Sequence, residues 1–270
     1  MCTFCLEGAI LPRKEEFVNE NSTWVLDLDG VIWLGDEAIP GSREAISILR
    51  DNGRGVLLVT NNSRPTVIEY LDKLSRFGID VSTDELISSS IACASLIVPG
   101  ERVYVIGGDG LKEAIRSSGG VIVEDHQADV VAVGWSKEFN YEMMSVALKA
   151  ILDGARFLAT NEDPTYPTPY GLVPGAGAIV RSIAYASSCE PTVAGKPHEP
   201  IAKLVREHVG PGSVMVGDRH STDGVFAGNV GLPFYLVLSG VTKAADPNWK
   251  PSPARIGKDL LDLVRCELAL

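Results

Sequence analysis

Long apolar runs are missing from this sequence. No stretch approaches the roughly 18 residues that a bilayer-spanning helix needs, so no membrane is expected as a partner. Residues 1–20 carry Glu7, Glu15 and Glu16 and no clean apolar segment, and they do not read as a signal peptide. A cytoplasmic protein is the expectation. Cysteine is sparse. The five residues Cys2, Cys5, Cys93, Cys189 and Cys266 are odd in number and scattered, which argues against a disulfide framework. Cys2 and Cys5 form a C-x-x-C with no second pair, so a four-ligand zinc site is excluded and two thiols on an N-terminal arm are expected. Basic charge is in short supply: 24 Lys and Arg stand against 35 Asp and Glu, a net charge of −11. Nucleic acid is therefore not expected as a partner, because counterion release needs a basic face, and a basic membrane-surface module is excluded as well. Internal repeats and low-complexity tracts are also lacking.

What is present is a globular composition, 45% hydrophobic and 22% charged over 270 residues. Short runs rich in Val, Leu and Ile alternate with helical patterns. The expected strands are 24–28, 56–60, 102–106, 130–133, 157–160, 213–217 and 233–238. Continuous apolar strands of this kind suit a parallel sheet covered on both faces. Helices are expected at 43–52, 111–117, 141–153, 176–187, 201–208 and 258–268, and in a segment opened by Pro65. Ser42 is the expected N-cap of the first. The alternation implies a doubly wound α/β fold. Residues 161–177, rich in proline and glycine, read as a long functional loop.

Three strands end in chemistry-bearing groups. Trp24-Val25-Leu26 runs into Asp27-Leu28-Asp29-Gly30, Val56-Leu57-Leu58-Val59 into Thr60-Asn61-Asn62-Ser63, and Val214-Met215-Val216-Gly217 into Asp218-Arg219. In an open parallel sheet the carboxyl ends share one edge, and that edge carries the ligand crevice. A single strand-end Asp is as often a turn or capping residue. All three together are harder to explain that way. Asp27, Asp29 and Asp218 on one rim would repel one another, and a divalent cation removes the conflict. Mg²⁺, which takes oxygen ligands and pairs carboxylates with phosphate, suits best. Lys196 precedes Pro197 and is not a Walker A lysine, since position 190 is Glu. Gly107-Gly108-Asp109-Gly110 lacks the full G-x-G-x-x-G and reads as a plain strand-to-helix turn. His220 is expected to be a surface residue.

In order, Asp27-Leu28-Asp29-Gly30-Val31, Thr60-Asn61-Asn62-Ser63, Gly195-Lys196-Pro197 and Gly217-Asp218-Arg219 through Asp223 resemble the four motifs of the haloacid dehalogenase-like phosphohydrolases. The resemblance is closest to the NagD-type branch, whose members are similar to 4-nitrophenylphosphatases and phosphoglycolate phosphatases. Pro40-Gly41, Ala159-Thr160-Asn161, Pro174-Gly175-Ala176-Gly177 and Ser239-Gly240-Val241-Thr242 extend it over residues 23–260.

The resemblance implies a HAD-like Rossmannoid core of residues 1–99 and 192–270, with a C2-type α/β cap of residues 100–191 inserted. It implies a Mg²⁺-dependent phosphomonoester hydrolase for a small phosphorylated metabolite, working through an aspartyl-phosphate. Asp27 would be the nucleophile and Asp29 the general acid and base. Thr60, Asn61 and Lys196 would bind the phosphoryl group. Asp27, Asp218 and the backbone carbonyl of Asp29 would hold the metal, and Asp223 and Asn62 would lie just behind. Tyr166, in the cap, would meet the leaving group. Caps of this type supply dimer surfaces, so a homodimer is among the implied partners. Gly224 stands where the family usually has an apolar residue, which would loosen the turn. Two alternatives stay open: a phosphotransferase or phosphomutase using the same aspartate, and an inactive domain that senses a phosphorylated metabolite.

Overall fold

The computed structural model describes residues 22–168 and 171–270, and the Cys2–Cys5 pair lies outside them. Among these residues two parallel sheets carry the fold. The larger has six strands in the order Arg255–Gly257, Phe234–Val237, Val214–Gly217, Thr23–Leu26, Gly55–Thr60, Leu86–Ser88. The smaller has five: Thr192–Val193, Arg156–Ala159, Val130–Val133, Arg102–Ile106, Val121–Val123. The fold is α/β, as the alternation of strands and helices implied.

Alternate residues of the central strand face opposite sides, as the two-residue period requires. Trp24 and Leu26 pack with Ala45, Ile46 and Leu49 of the helix Ser42–Asp51 and with Leu260, Leu263 and Val264 of the helix Leu260–Leu268. Val25 faces the other way, toward Ala92 and Cys93 of the helix Ser89–Ala94 and Ile201 and Val205 of the helix Glu199–Arg206. The same apolar cluster continues into Val103, Val105 and Ile115, so the two sheets share one core.

The strand Thr23–Leu26 lies between Gly55–Thr60 on one side and Val214–Gly217 on the other. The chain winds outward in both directions from it, which makes its carboxyl end the point where strand order reverses. A crevice opens at such a point.

Several local features differ from the sequence expectations. Ser42 is the first helical residue rather than the cap. Gly41, at φ 86, holds the cap position, and a side chain there would run into Leu261. The second helix opens at Val67 rather than at Pro65, with Thr66 as its cap. Thr66 accepts from Glu69 N while the Glu69 carboxylate takes Thr66 N, closing a capping box. Residues 161–177 contain a hairpin of Thr165–Thr168 against Gly171–Pro174. No helix among the described residues is long and apolar enough to cross a membrane.

Candidate active site

Asp27, Thr60 and Asp218 stand at the ends of buried strands. Leu26 is paired with Leu58 on one side and Val216 on the other, and Asp27 N still donates to Val216 O at 2.9 Å. The chain then turns. Gly30 N donates to Trp33 O, and Gly30 adopts φ 87. That turn brings Gly30 against Asp218: a Cβ on Gly30 would lie 2.5 Å from Asp218 Oδ2. Gly240 closes on the same carboxylate from the other side, with no room for a side chain, and Gly217 does so on Asp223. Glycine is needed at these positions because carboxylates occupy the space.

Lys196 Nζ lies 2.7 Å from Asp27 Oδ1, 2.7 Å from Asp223 Oδ1 and 3.2 Å from Val59 O. The groups are buried: Lys196 is 2% exposed, Asp27 8%, Asp218 4% and Asp223 1%. Charges this deep persist only when paired. Burial alone would push the lysine down, but the charges of Asp223 and Asp27 overcome it and hold Lys196 above the ordinary lysine range. Burial pushes the Asp27 carboxyl well above its ordinary range, and Lys196 only partly opposes it. Asp218 is pushed up to about 6, first by burial and then by the charge of Asp223.

Carboxylate oxygens of Asp27, Asp218 and Asp223 lie within 4.8 Å of one another. Asp223 has both oxygens engaged, Oδ1 by Lys196 and Oδ2 by Arg219 N. Asp27 and Asp218 each have one oxygen occupied, by Lys196 and by Val241 N. The cluster sets three acidic groups beside the one ammonium of Lys196. Hard oxygen donors with surplus negative charge fit a hard divalent cation such as Mg²⁺.

The carboxyl of Asp29 stands outside this group. Trp33 Nε1 donates to its Oδ1 at 3.1 Å, and burial raises its pKa against that bond. Thr60 is buried, and its Oγ1 accepts from Asn62 N at 3.1 Å, while Asn62 O accepts from Tyr70 Oη at 2.6 Å. The Asn61 side chain bonds the backbone of Lys196 and the carboxylate of Asp163.

Asp27, Asp29, Thr60, Asn61, Asn62, Lys196, Asp218 and Asp223 all line one crevice of about 1980 Å³. Tyr166 reaches it from the hairpin, with its ring 6.0 Å from that of Trp135, and Arg64 and Lys137 lie over the Trp135 ring at 5.8 and 5.7 Å. Asp163 lines the crevice, in the segment the resemblance sets against the leaving group, whereas Trp135, Arg64 and Lys137 were missed as wall residues. Arg64 follows the second motif directly, but nothing local marks Trp135 or Lys137.

One other expectation changes. His220 is a half-buried structural residue: its ring stacks on Trp249 at 4.6 Å and Nε2 bonds Pro251 O. At Gly224, the position the family fills with an apolar residue, a Cβ would lie 2.8 Å from the His220 ring. The Gly107-Gly108-Asp109-Gly110 turn binds the chain itself: Gly110 N donates to Arg64 O at 2.8 Å, and a Cβ on Gly108 would lie 2.7 Å from Arg64.

Residues 24–120 match the family model for haloacid dehalogenase-like hydrolases, and residues 193–263 match one described as HAD-hydrolase-like. An acid sugar phosphatase of Staphylococcus epidermidis is 34% identical over 251 residues, covering 91% of this chain and 97% of that protein. Among solved structures, a p-nitrophenyl phosphatase from Archaeoglobus fulgidus superposes with a TM-score of 0.84 at 31% identity, covering 92% of this chain and 99% of that one. A glycerol phosphate phosphatase from Mycobacterium tuberculosis, in complex with magnesium, gives a TM-score of 0.82 at 30% identity, covering 91% and 77%.

Proposed function

The chain belongs to the haloacid dehalogenase-like hydrolases and is a phosphoric monoester hydrolase of their NagD-type branch; from that premise we propose that it hydrolyses small phosphorylated metabolites with Mg²⁺ through an aspartyl-phosphate on Asp27. The observation that carries this reading is the meeting of Asp27, Lys196, Asp218 and Asp223 at one crevice.

Asp27 and Asp218 would hold the ion through their remaining oxygens. A bound Mg²⁺ supplies charge compensation and Lewis acidity at the phosphoryl oxygens. The Asp27 carboxylate attacks phosphorus in line. The P–O bond to the leaving group breaks, and a P–O bond to Asp27 forms. Asp29, whose neutral form is favoured by burial, gives its proton to the departing alkoxide. As a carboxylate it then takes a proton from the water that attacks the aspartyl-phosphate, which releases inorganic phosphate and restores Asp27. Lys196 neutralises negative charge on Asp27 and on the phosphoryl group. Asp223 holds Lys196 in place, and the Thr60 hydroxyl hydrogen-bonds a phosphoryl oxygen.

The smaller sheet, beginning at Arg102 and ending with Thr192–Val193, serves as a cap that excludes water from the crevice. Tyr166 meets the leaving group there and sets selectivity. Sugar, glycerol and aryl phosphates are the first candidates, by the names of the relatives.

The test is release of inorganic phosphate from a metabolite panel and from 4-nitrophenyl phosphate. The expected result is turnover with Mg²⁺ that chelation abolishes and Mg²⁺ restores. Turnover indifferent to chelation, or no phosphate release from any ester, contradicts the proposal.

A further inference from the structure

Lys196 is fixed at both ends. Its ammonium lies between Asp27 and Asp223, and its backbone is gripped by a single side chain. Lys196 N donates to Asn61 Oδ1 at 2.7 Å, and Asn61 Nδ2 donates to Lys196 O at 3.0 Å. The same amide nitrogen donates to Asp163 Oδ2 at 3.1 Å. Only one orientation of the Asn61 amide satisfies all three partners, because Lys196 N must meet an oxygen while Lys196 O and the Asp163 carboxylate must meet the NH₂.

Asp163 lies on the loop that leaves the strand Arg156–Ala159 of the smaller sheet. Asn161, on the same loop, donates to Asn61 O at 2.7 Å. Ser89 donates to that carbonyl from the larger layer, at 2.6 Å. Gly195 completes the fit, since a Cβ there would lie 2.6 Å from Asn61 Oδ1 and would strike Thr160 O. Asn61 is thus the joint where the loop of one layer meets the lysine of the other.

We propose that Asn61 and Asp163 form a clamp that positions Lys196, so that docking of the smaller layer's loop sets where the lysine stands during phosphoryl transfer. The clamp rests on the phosphohydrolase reading above, and it gives the Asn61 side chain a positioning role beside the phosphate contact of the backbone N–H groups there. Asp163 acts through Asn61 and need not touch the substrate. A substrate that lets the loop seat fully is processed with Lys196 in register, and one that props the loop open is not.

The two partners can be exchanged chemically. Asn61→Asp keeps an oxygen for Lys196 N, removes the donor to Lys196 O, and sets a carboxylate against Asp163. Adding Asp163→Asn returns a donor to that pair. With 4-nitrophenyl phosphate and saturating Mg²⁺, Asn61→Asp is expected to lower kcat roughly 100-fold with a smaller change in KM. The double variant is expected to regain at least about tenfold. Amide hydrogen exchange of the full-length protein reads the clamp without turnover. The amides of Gly195 and Lys196 exchange faster in Asn61→Asp and recover protection in the double variant.

Wild-type kcat and exchange in Asn61→Asp overturn the clamp, as does a double variant no better than the single in both measurements. If the wild-type protein releases no phosphate, the phosphatase reading falls while the exchange pattern still decides the clamp. Should Asn61→Asp fail to fold, Asp163→Ala leaves Asn61 in place. It is then expected to lower kcat roughly threefold to tenfold and to speed exchange at Lys196, and no change in either overturns the proposal.

Discussion

Asp218 combines burial, a neighbouring like charge and a backbone hydrogen bond in one carboxyl group. Val241 N donates to its Oδ2, yet burial and the Asp223 charge outweigh that bond and push its pKa up to about 6 in the metal-free protein. The unfolded chain holds the same group near its ordinary value of about 4. Between these values the folded state binds more protons than the unfolded one, so the contribution of Asp218 to stability falls as pH rises through that window. Asp218→Asn has no such titration. In chelator, the wild-type protein is therefore expected to lose stability relative to Asp218→Asn between about pH 4 and pH 6, with the difference level above. Mg²⁺ needs the ionised carboxylate, so its affinity for the wild-type protein weakens below about pH 6. Thermal scans at stepped pH, with calorimetric Mg²⁺ titrations, check both. A stability difference independent of pH contradicts the assignment.

Elements reach the site through their ends, and those ends are shaped by glycine. Gly240 follows the strand Phe234–Val237 and lies against Asp218 with no room for a methyl group. Gly240→Ala must displace either the loop or the carboxylate. The expected outcome is a folded protein with Mg²⁺ affinity and kcat each lowered about tenfold or more, measured by titration calorimetry and phosphate release. Unchanged metal affinity would show that Asp218 does not need this cradle. The long buried strands were legible in the sequence because an unbroken run such as Val56–Val59 has no other stable home. Leu86–Ser88, Val121–Val123 and Arg255–Gly257 were not, since three residues carry too little period to separate strand from loop. The hairpin at 165–174 was hidden by its prolines, which sit on a two-stranded ribbon outside either large sheet. Gly41 displaced Ser42 from the cap because the close approach of Leu261, distant in sequence, leaves no room for a side chain.

At the scale of the whole molecule, the order of strands makes the site. Thr23–Leu26 stands where the winding reverses, so the ends of three strands and the lysine loop face one crevice, roofed by the smaller sheet's loop and hairpin. The residue types of that site were legible because each motif sits at a strand end with its chemistry exposed in the pattern. Their division of labour was not. Asn61 and Lys196 stand 135 positions apart, and no local pattern records that one grips the other's backbone. Likewise, no local pattern records that the Asp29 carboxyl turns to Trp33. The central claim is that Asp27 carries the phosphoryl group between ester and water. Acid quench during turnover, borohydride reduction and peptide mass spectrometry test it, since reduction converts an aspartyl-phosphate to homoserine. Homoserine is expected at position 27, with none in Asp27→Asn, whose turnover falls by a factor of roughly 10⁴ or more. Homoserine at another aspartate, or wild-type turnover in Asp27→Asn, would contradict it.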